Sequence, residues 1–314
     1  MEMSSENRGF RHGALVYGSQ DEYVACAVPF LTEGLEAGEG AIVAHTKPGL
    51  ALMREALGAD AAHVTFVDVS SAYTRPARTL ASYHHVYVEQ LGKSPSLRVV
   101  ADVQFGLDPA EWDLWTAYEA VFNRSFEHLP AWVVCTYNAN GTPDPIIDGV
   151  WRTHPEVHAG DTWHTSDRFE DPDELLGALT PEPTPLSGLR SIGFGRDLEE
   201  FRDGLARVLA AEKVSDATVL DMLLAAVLDR VLGDLRGGEE HVEHGGGVAD
   251  VRVGHADGRF VCEVVDRGNG FDDPVAGYLV PREGTGTGLW VARQLAWRVE
   301  FFRSPQGFTV RIWL

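Results

Sequence analysis

The sequence predicts an α/β protein in two parts, a mostly parallel sheet with helices on both faces followed by a smaller two-layer α/β sandwich. Three observations predict it. The first half alternates short apolar runs with amphipathic ones, at strand and helix lengths. A proline-dense stretch, residues 181–188 (PEPTPLSG), then interrupts the pattern. Beyond it, long amphipathic stretches give way to runs that alternate apolar and polar residues.

In the first half, residues 14–17 (ALVY), 41–44 (AIVA), 64–69 (VTFVDV), 97–103 (LRVVADV) and 131–137 (AWVVCTY) read as strands. They are apolar on both faces, as strands buried on both sides of a sheet must be. Between them lie four helical stretches. Residues 23–35 stop at Ala37-Gly38, 50–57 are closed by Gly58, 80–91 are closed by Gly92, and 109–126 open on Pro109. Glycine just past a helix and proline in its first turn are stop and start signals with a backbone cause. A helix between successive strands returns the chain for parallel pairing.

In the second half, residues 198–211, 214–235 and 288–297 read as helices, and 248–253, 260–266 and 308–314 as strands with one covered face. Helices on one face of an antiparallel sheet give a two-layer sandwich. Proline density over 181–188 resists both helix and central strand. The expected division is therefore a first domain over 9–178, a linker over 179–189 and a second domain over 190–314.

Composition narrows the partners. At 44% hydrophobic residues the chain can bury proper cores. A formal net charge of −21 argues against nucleic acid and against anionic membrane surfaces, since both require clustered Lys and Arg. No apolar run is long enough to span a bilayer, and the polar start lacks the apolar core of a secretory signal. A cytoplasmic protein that meets other proteins is expected. Cys26, Cys135 and Cys262 sit far apart in apolar runs, the pattern of buried free thiols in a reducing compartment. The twelve histidines show no tight ligand spacing. His84 and His85 are adjacent and point apart on a helix, and His154, His158 and His164 fall in a loop-like stretch. The expectation is surface or helix-capping histidines, with His154 as a structural hydrogen bonder, and no metal site.

Two glycine-rich boxes near the end of the chain carry chemistry. Asp266-Arg-Gly268-Asn-Gly270-Phe271 directly follows a strand. A carboxylate at a strand end can accept a purine amino group, and the glycines let the backbone approach a flat ring. Gly284-Thr-Gly286-Thr-Gly288-Leu289-Trp290 runs straight into a helix, where backbone N–H groups and the helix dipole suit phosphates. In this order, with a Pro/Gly-rich segment between, they resemble the histidine-kinase-like ATPases of the GHKL superfamily, with its Bergerat-type sandwich. Residues 286–296 (GTGLWVARQLA) are similar to the anti-sigma-factor kinase branch. The resemblance implies that Asp266 contacts adenine, that Gly268 and Gly270 shape the adenine pocket, and that Gly284, Gly286, Gly288 and Leu289 lie at the phosphates. That superfamily also carries a helix with a Glu base, an Mg²⁺-binding Asn and a His-Gly. In the matching stretch, residues 226–238, Asp229 stands for the Glu, Gly233 for the Asn and Gly237 for the His. A glycine offers Mg²⁺ no oxygen ligand. The expectation is therefore weak ATP binding with little dependence on Mg²⁺, with Asp229 as the only candidate base.

Residues 9–173 resemble the MEDS sensory domain. The resemblance rests on Arg11-His12-Gly-Ala-Leu-Val-Tyr17, on residues 29–38 (PFLTEGLEAG), on residues 131–137 and on Arg152-Thr-His154-Pro155. It implies a sheet related to RecA-like ATPases. The turn at residues 17–21 (YGSQD) carries no phosphate-binding loop motif, so no nucleoside triphosphate is expected there. In open parallel sheets ligands bind beyond the carboxyl ends of strands. That rule selects Tyr17, Gly18, Ser19, Asp102, Gln104, Tyr137 and Asn138 as lining for a small-molecule signal. A MEDS domain before a kinase-like domain resembles anti-sigma-factor regulators, which implies a sigma factor or anti-sigma antagonist as protein partner. Two alternatives stand beside this regulator. One is an active serine kinase acting on the antagonist. The other is a small-molecule sensor with a non-catalytic scaffold.

Overall fold

A computed structural model describes residues 9–105, 109–160, 162–179, 184–193, 198–214, 217–232, 249–267, 270, 273–278, 288–304 and 307–314. The chain divides into two compact units, Met1–Leu179 and Thr180–Leu314.

In the first unit, β1 (Arg11–Tyr17), β2 (Gly40–His45), β3 (Val64–Asp68), β4 (Leu97–Asp102), β5 (Ala131–Asn138), β6 (Glu156–Ala159) and β7 (Thr162–Thr165) form one sheet. The order is β3-β2-β4-β5-β1-β6-β7. Pairings from β3 to β6 are parallel, and β7 lies antiparallel to β6. Helices α1 (Gln20–Glu36), α2 (Lys47–Leu57), α3 (Pro76–Leu91), α4 (Trp112–Phe126), α5 (Asp144–Thr153) and α6 (Pro172–Leu179) flank it. Leu15, Val43, Val100 and Val134 pack with Phe30 and Leu31 of α1 and Met53 of α2. Strand alternation sends Ala14, Val133 and Cys135 to the opposite face. There the Cys135 thiol meets Glu119 of α4. Both faces are thus covered, as the doubly apolar strands require.

The sequence reading left α5, β6, β7 and α6 unassigned and took residues 154–164 as loop-like. The structure corrects this. His158 lies in β6 and His164 in β7. All four residues of β7 are exposed, so this strand carries no apolar signal to read. Helix α4 is also buried more broadly than a one-faced helix, since Trp115, Tyr118, Glu119, Val121, Phe122 and Phe126 are all enclosed.

In the second unit, β8 (Arg190–Ser191), β9 (Ala249–Ala256), β10 (Arg259–Asp266), β11 (Arg298–Ser304) and β12 (Gly307–Trp313) form an antiparallel sheet in the order β11-β12-β10-β9-β8. Helices α7 (Leu198–Ala211), α8 (Ala217–Leu232) and α9 (Gly288–Leu295) pack against one face. Their Leu205, Leu223, Val227 and Ala292 share a core with Val251, Val264, Val310 and Ile312 of the strands. This is the two-layer arrangement that the alternating strands predict. The second amphipathic stretch is helical over Ala217–Leu232. No helix among the described residues is long and apolar enough to cross a membrane.

Candidate functional site

Three places in the molecule concentrate polar chemistry. The first is the carboxyl edge of the parallel sheet. His45 ends β2, Asp102 ends β4 and Tyr17 ends β1. His45 Nδ1 lies 3.2 Å from Asp102 Oδ2. Gln104 Nε2 donates to the same carboxylate oxygen. Tyr23, from the first turns of α1, has its ring 5.1 Å from that of Tyr17 and 5.7 Å from that of His45. Burial pushes the Asp102 carboxyl up to about 7, against the pull of Gln104. Burial also lowers the His45 imidazole to about 4. Tyr17 rises to about 12, from burial first and from the nearby Asp102 second. A neutral carboxyl beside a neutral imidazole can both donate and accept hydrogen bonds, which suits a small polar ligand.

Of the residues selected from the sequence, Tyr17, Asp102 and Gln104 meet here. Gly18 and Ser19 are exposed. The Ser19 hydroxyl accepts from Glu22 N at 3.2 Å and caps α1. Gly18 N donates to Glu22 Oε2 at 2.6 Å, and Gly18 O accepts from Asn140 Nδ2 at 2.6 Å. Tyr137 turns away into the interior, where its hydroxyl donates to Glu119 Oε1 at 3.2 Å. His45 and Tyr23 were not selected from the sequence. His45 carried a usable signal, being the last residue of an apolar strand run.

The second place lies inside the same unit, between β1, β5, α4 and the end of α5. His12, Glu119, Cys135 and His154 are all buried, with their ligand-capable atoms within 4.8 Å of one another. His12 Nε2 is 3.3 Å from Cys135 Sγ and 3.5 Å from Glu119 Oε2. Cys135 Sγ is 3.8 Å and His154 Nε2 3.7 Å from the same Glu119 oxygen. Sequence and topology explain the convergence. His12 and Cys135 occupy inward-facing positions on neighbouring strands, with His12 paired to Val133 and Ala14 to Cys135. Glu119 and Asn123 are four apart on α4, hence on one face of it. His154 caps the C-terminus of α5.

The outer bonds fix each imidazole. His154 Nδ1 donates to Val150 O at 3.0 Å. His12 Nδ1 donates to Asn123 Oδ1 at 3.1 Å, while Asn123 Nδ2 donates to Glu119 O and Thr153 O. A carbonyl can only accept, so each ring carries its proton on Nδ1 and turns the Nε2 lone pair inward. His154 Nε2 is buried without a hydrogen-bond partner. Burial pushes Glu119 up to about 8 and His154 down to about 3, and it lowers His12 and raises Cys135 strongly. The expectation of surface or capping histidines therefore fails for His12, which is 3% exposed, whereas His154, expected as a structural hydrogen bonder, bonds Val150 O through Nδ1.

The third place is the end of β10 in the second unit. Asp266 closes that strand, buried at 1% exposure, opposite Phe308 and Ala249 in the register. Gly270 has φ +69, and a Cβ there would meet the Phe308 ring at 2.0 Å, so this position requires glycine. Gly288 begins α9 and is buried, and Leu289 packs against the core of the unit. Gly268, Gly284, Gly286, Gly233 and Gly237 lie outside the described residues, as does the side chain of Asp229.

The family model described as MEDS, "MEthanogen/methylotroph, DcmR Sensory domain", matches residues 11–155. The match falls within the first unit and includes both of its polar clusters. It supports the sensory-domain half of the sequence reading and points to a regulatory or signalling role, with a ligand or partner to be sensed. No curated protein matches the chain.

Proposed function

We propose that this protein is a signal-transduction regulator of the anti-sigma-factor type. Its first unit senses a small-molecule signal at the carboxyl edge of the parallel sheet. Its second unit, a degenerate histidine-kinase-like domain, holds a sigma factor or an anti-sigma antagonist under control of the first. The observation that carries this reading is the pairing, in one chain, of the sensory-domain match with a second compact unit of two layers. Three details support the kinase-like part. The sheet is antiparallel with helices on one face, buried Asp266 ends a strand, and α9 begins at Gly288 within the second glycine box. Asp266 would recognise the base, and the N–H groups near residues 284–288 the phosphates. With Gly233 at the metal-binding position, ATP binds weakly and Mg²⁺ adds little.

Calorimetry of the full chain with ATP, with and without Mg²⁺, tests this, followed by radiolabelled ATP in the presence of an antagonist protein. The expected result is weak, Mg²⁺-indifferent binding that Asp266→Ala abolishes, with no label transferred. One charge-assisted contact is worth roughly 1.5–3 kcal/mol, so losing the metal bridge weakens binding by about one to two powers of ten. Tight, strictly Mg²⁺-dependent binding with transfer of label would make the protein a serine kinase instead.

A further inference from the structure

We propose that His12 Nε2, Glu119 Oε2, Cys135 Sγ and His154 Nε2 form a tetrahedral site for one divalent transition cation, with Zn²⁺ as the best-suited ion. The argument begins with geometry. At metal–ligand distances of about 2.0–2.3 Å, the edges of a tetrahedron measure roughly 3.3–3.8 Å. Four of the six separations, 3.3, 3.5, 3.7 and 3.8 Å, fall on those edges, and all four atoms lie within 4.8 Å of one another.

Orientation is the second strand of the argument. Both imidazoles are held by Nδ1–H bonds to oxygen acceptors outside the cluster, the outer-shell arrangement that fixes a histidine as an Nε2 ligand. The carboxylate has the same kind of support, since Tyr137 donates to its other oxygen, Oε1. One of the inward lone pairs, that of His154, has no hydrogen-bond partner although it is fully enclosed. An unpaired buried polar atom carries a cost that a metal bond would remove.

Charge and donor type then choose the ion. A dication with one thiolate and one carboxylate is neutral overall, which a fully buried centre must be. On binding, the Cys135 thiol proton and the proton that the buried Glu119 carboxyl holds both leave to solvent, and no redox change is involved. Two imidazole nitrogens, a thiolate and a carboxylate make a borderline-soft set. It suits Zn²⁺ and discriminates against Mg²⁺ and Ca²⁺, which prefer all-oxygen cages. Four protein ligands leave no open position, so the site is structural. It ties β1, α4, β5 and the end of α5 together. This inference stands independently of the regulatory reading above.

The test uses the untagged full chain, produced in minimal medium supplied with Zn²⁺ or with Co²⁺, because an enclosed site must be loaded during synthesis. Metal analysis should find one zinc per chain. The cobalt form should show the intense visible bands of tetrahedral Co²⁺ and a thiolate-to-cobalt charge-transfer band. Cys135→Ser should abolish the charge-transfer band, whereas Cys262→Ser should leave it. Asn123→Ala, which removes only the orienting partner of His12, should weaken zinc retention against a competing chelator by about 10–100-fold. Chain that is folded by circular dichroism yet carries no metal, or cobalt bands that persist in Cys135→Ser, would overturn the proposal. If Cys135→Ser does not fold, the wild-type cobalt spectrum and Asn123→Ala decide alone.

Discussion

Each unit buries charge, and the two do it differently. In the second unit, Arg311 stands directly between Glu263 and Glu300 in the register of β10, β12 and β11. Its Nε donates to Glu263 Oε1 at 2.7 Å and its Nη1 to Glu300 Oε2 at 3.4 Å, while Trp313 Nε1 donates to Glu300 Oε2 at 2.9 Å. All three charged side chains are less than a tenth exposed. The cluster brings its own cation. In the first unit, the buried Glu119 carboxylate has only two histidines within ion-pair distance among the described residues, and burial holds both in the neutral form. A closed ion-pair network is a feature of the fold. A set of inward lone pairs and acidic groups with no cationic side chain among the described residues is where we propose that a metal binds.

Breaking the closed network has the largest expected effect. Arg311→Met leaves Glu263 buried without a countercharge among the described residues and Glu300 with only the partly exposed Arg298, whose Nε lies 3.3 Å from Glu300 Oε1, and should cost about 3–5 kcal/mol. Urea unfolding of the full chain measures it. A loss under about 1 kcal/mol would mean that water reaches the cluster. Next in size is Glu119→Gln, which keeps the shape and removes the anionic ligand. Wild-type chain at Zn²⁺ a hundredfold above its dissociation constant gains about 2.7 kcal/mol. The variant should gain much less, as thermal unfolding with and without zinc would reveal.

The strand-end pair tests a third way of burying charge, in which both partners are neutralised. Asp102 keeps its proton in the folded chain up to about 7, against 3.8 as its ordinary value, so its contribution to stability falls as pH rises across that window. His45 is lowered from 6.5 to about 4, so the unfolded chain binds the extra proton and the contribution of His45 rises with pH over its window. The two oppose each other. Asp102→Asn should therefore steepen the rise of stability with pH between about 4 and 6.5 relative to wild type. Parallel profiles would show that Asp102 is solvated. The smallest effect is expected at Ser19, read from the sequence as ligand lining and found capping α1. Ser19→Ala should cost about 1 kcal/mol in chemical denaturation, with ligand-edge chemistry unchanged.

How legible each feature was follows from the same physics. The β–α rhythm could be read because strands covered on both faces are apolar at every position, as in residues 41–44. Strands β6 and β7 could not, since they are four residues long and largely polar or exposed. Asp102 and Tyr17 were accessible through a rule about strand ends. Tyr137 escaped that rule because strand alternation turns its side chain inward to Glu119. The buried quartet has no local spacing, for its residues come from two strands and two helix positions far apart in sequence. Its one readable trace was Glu119, a carboxylate on an aromatic helix between Trp115 and Phe122. Single carboxylates on core faces are where a sequence reading should look for a ligand.

Hydrogen exchange resolved by peptide tests most directly whether the two clusters differ as described. Full chain produced in minimal medium with zinc or without added metal would be compared, with exchange followed over β5 and α4 on one side and β10 and β12 on the other. The account predicts that zinc slows exchange in β5 and α4 and leaves β10 and β12 unchanged, since Arg311 already closes that network. Equal exchange of β5 and α4 with and without metal, or slowing of both pairs alike, would contradict it.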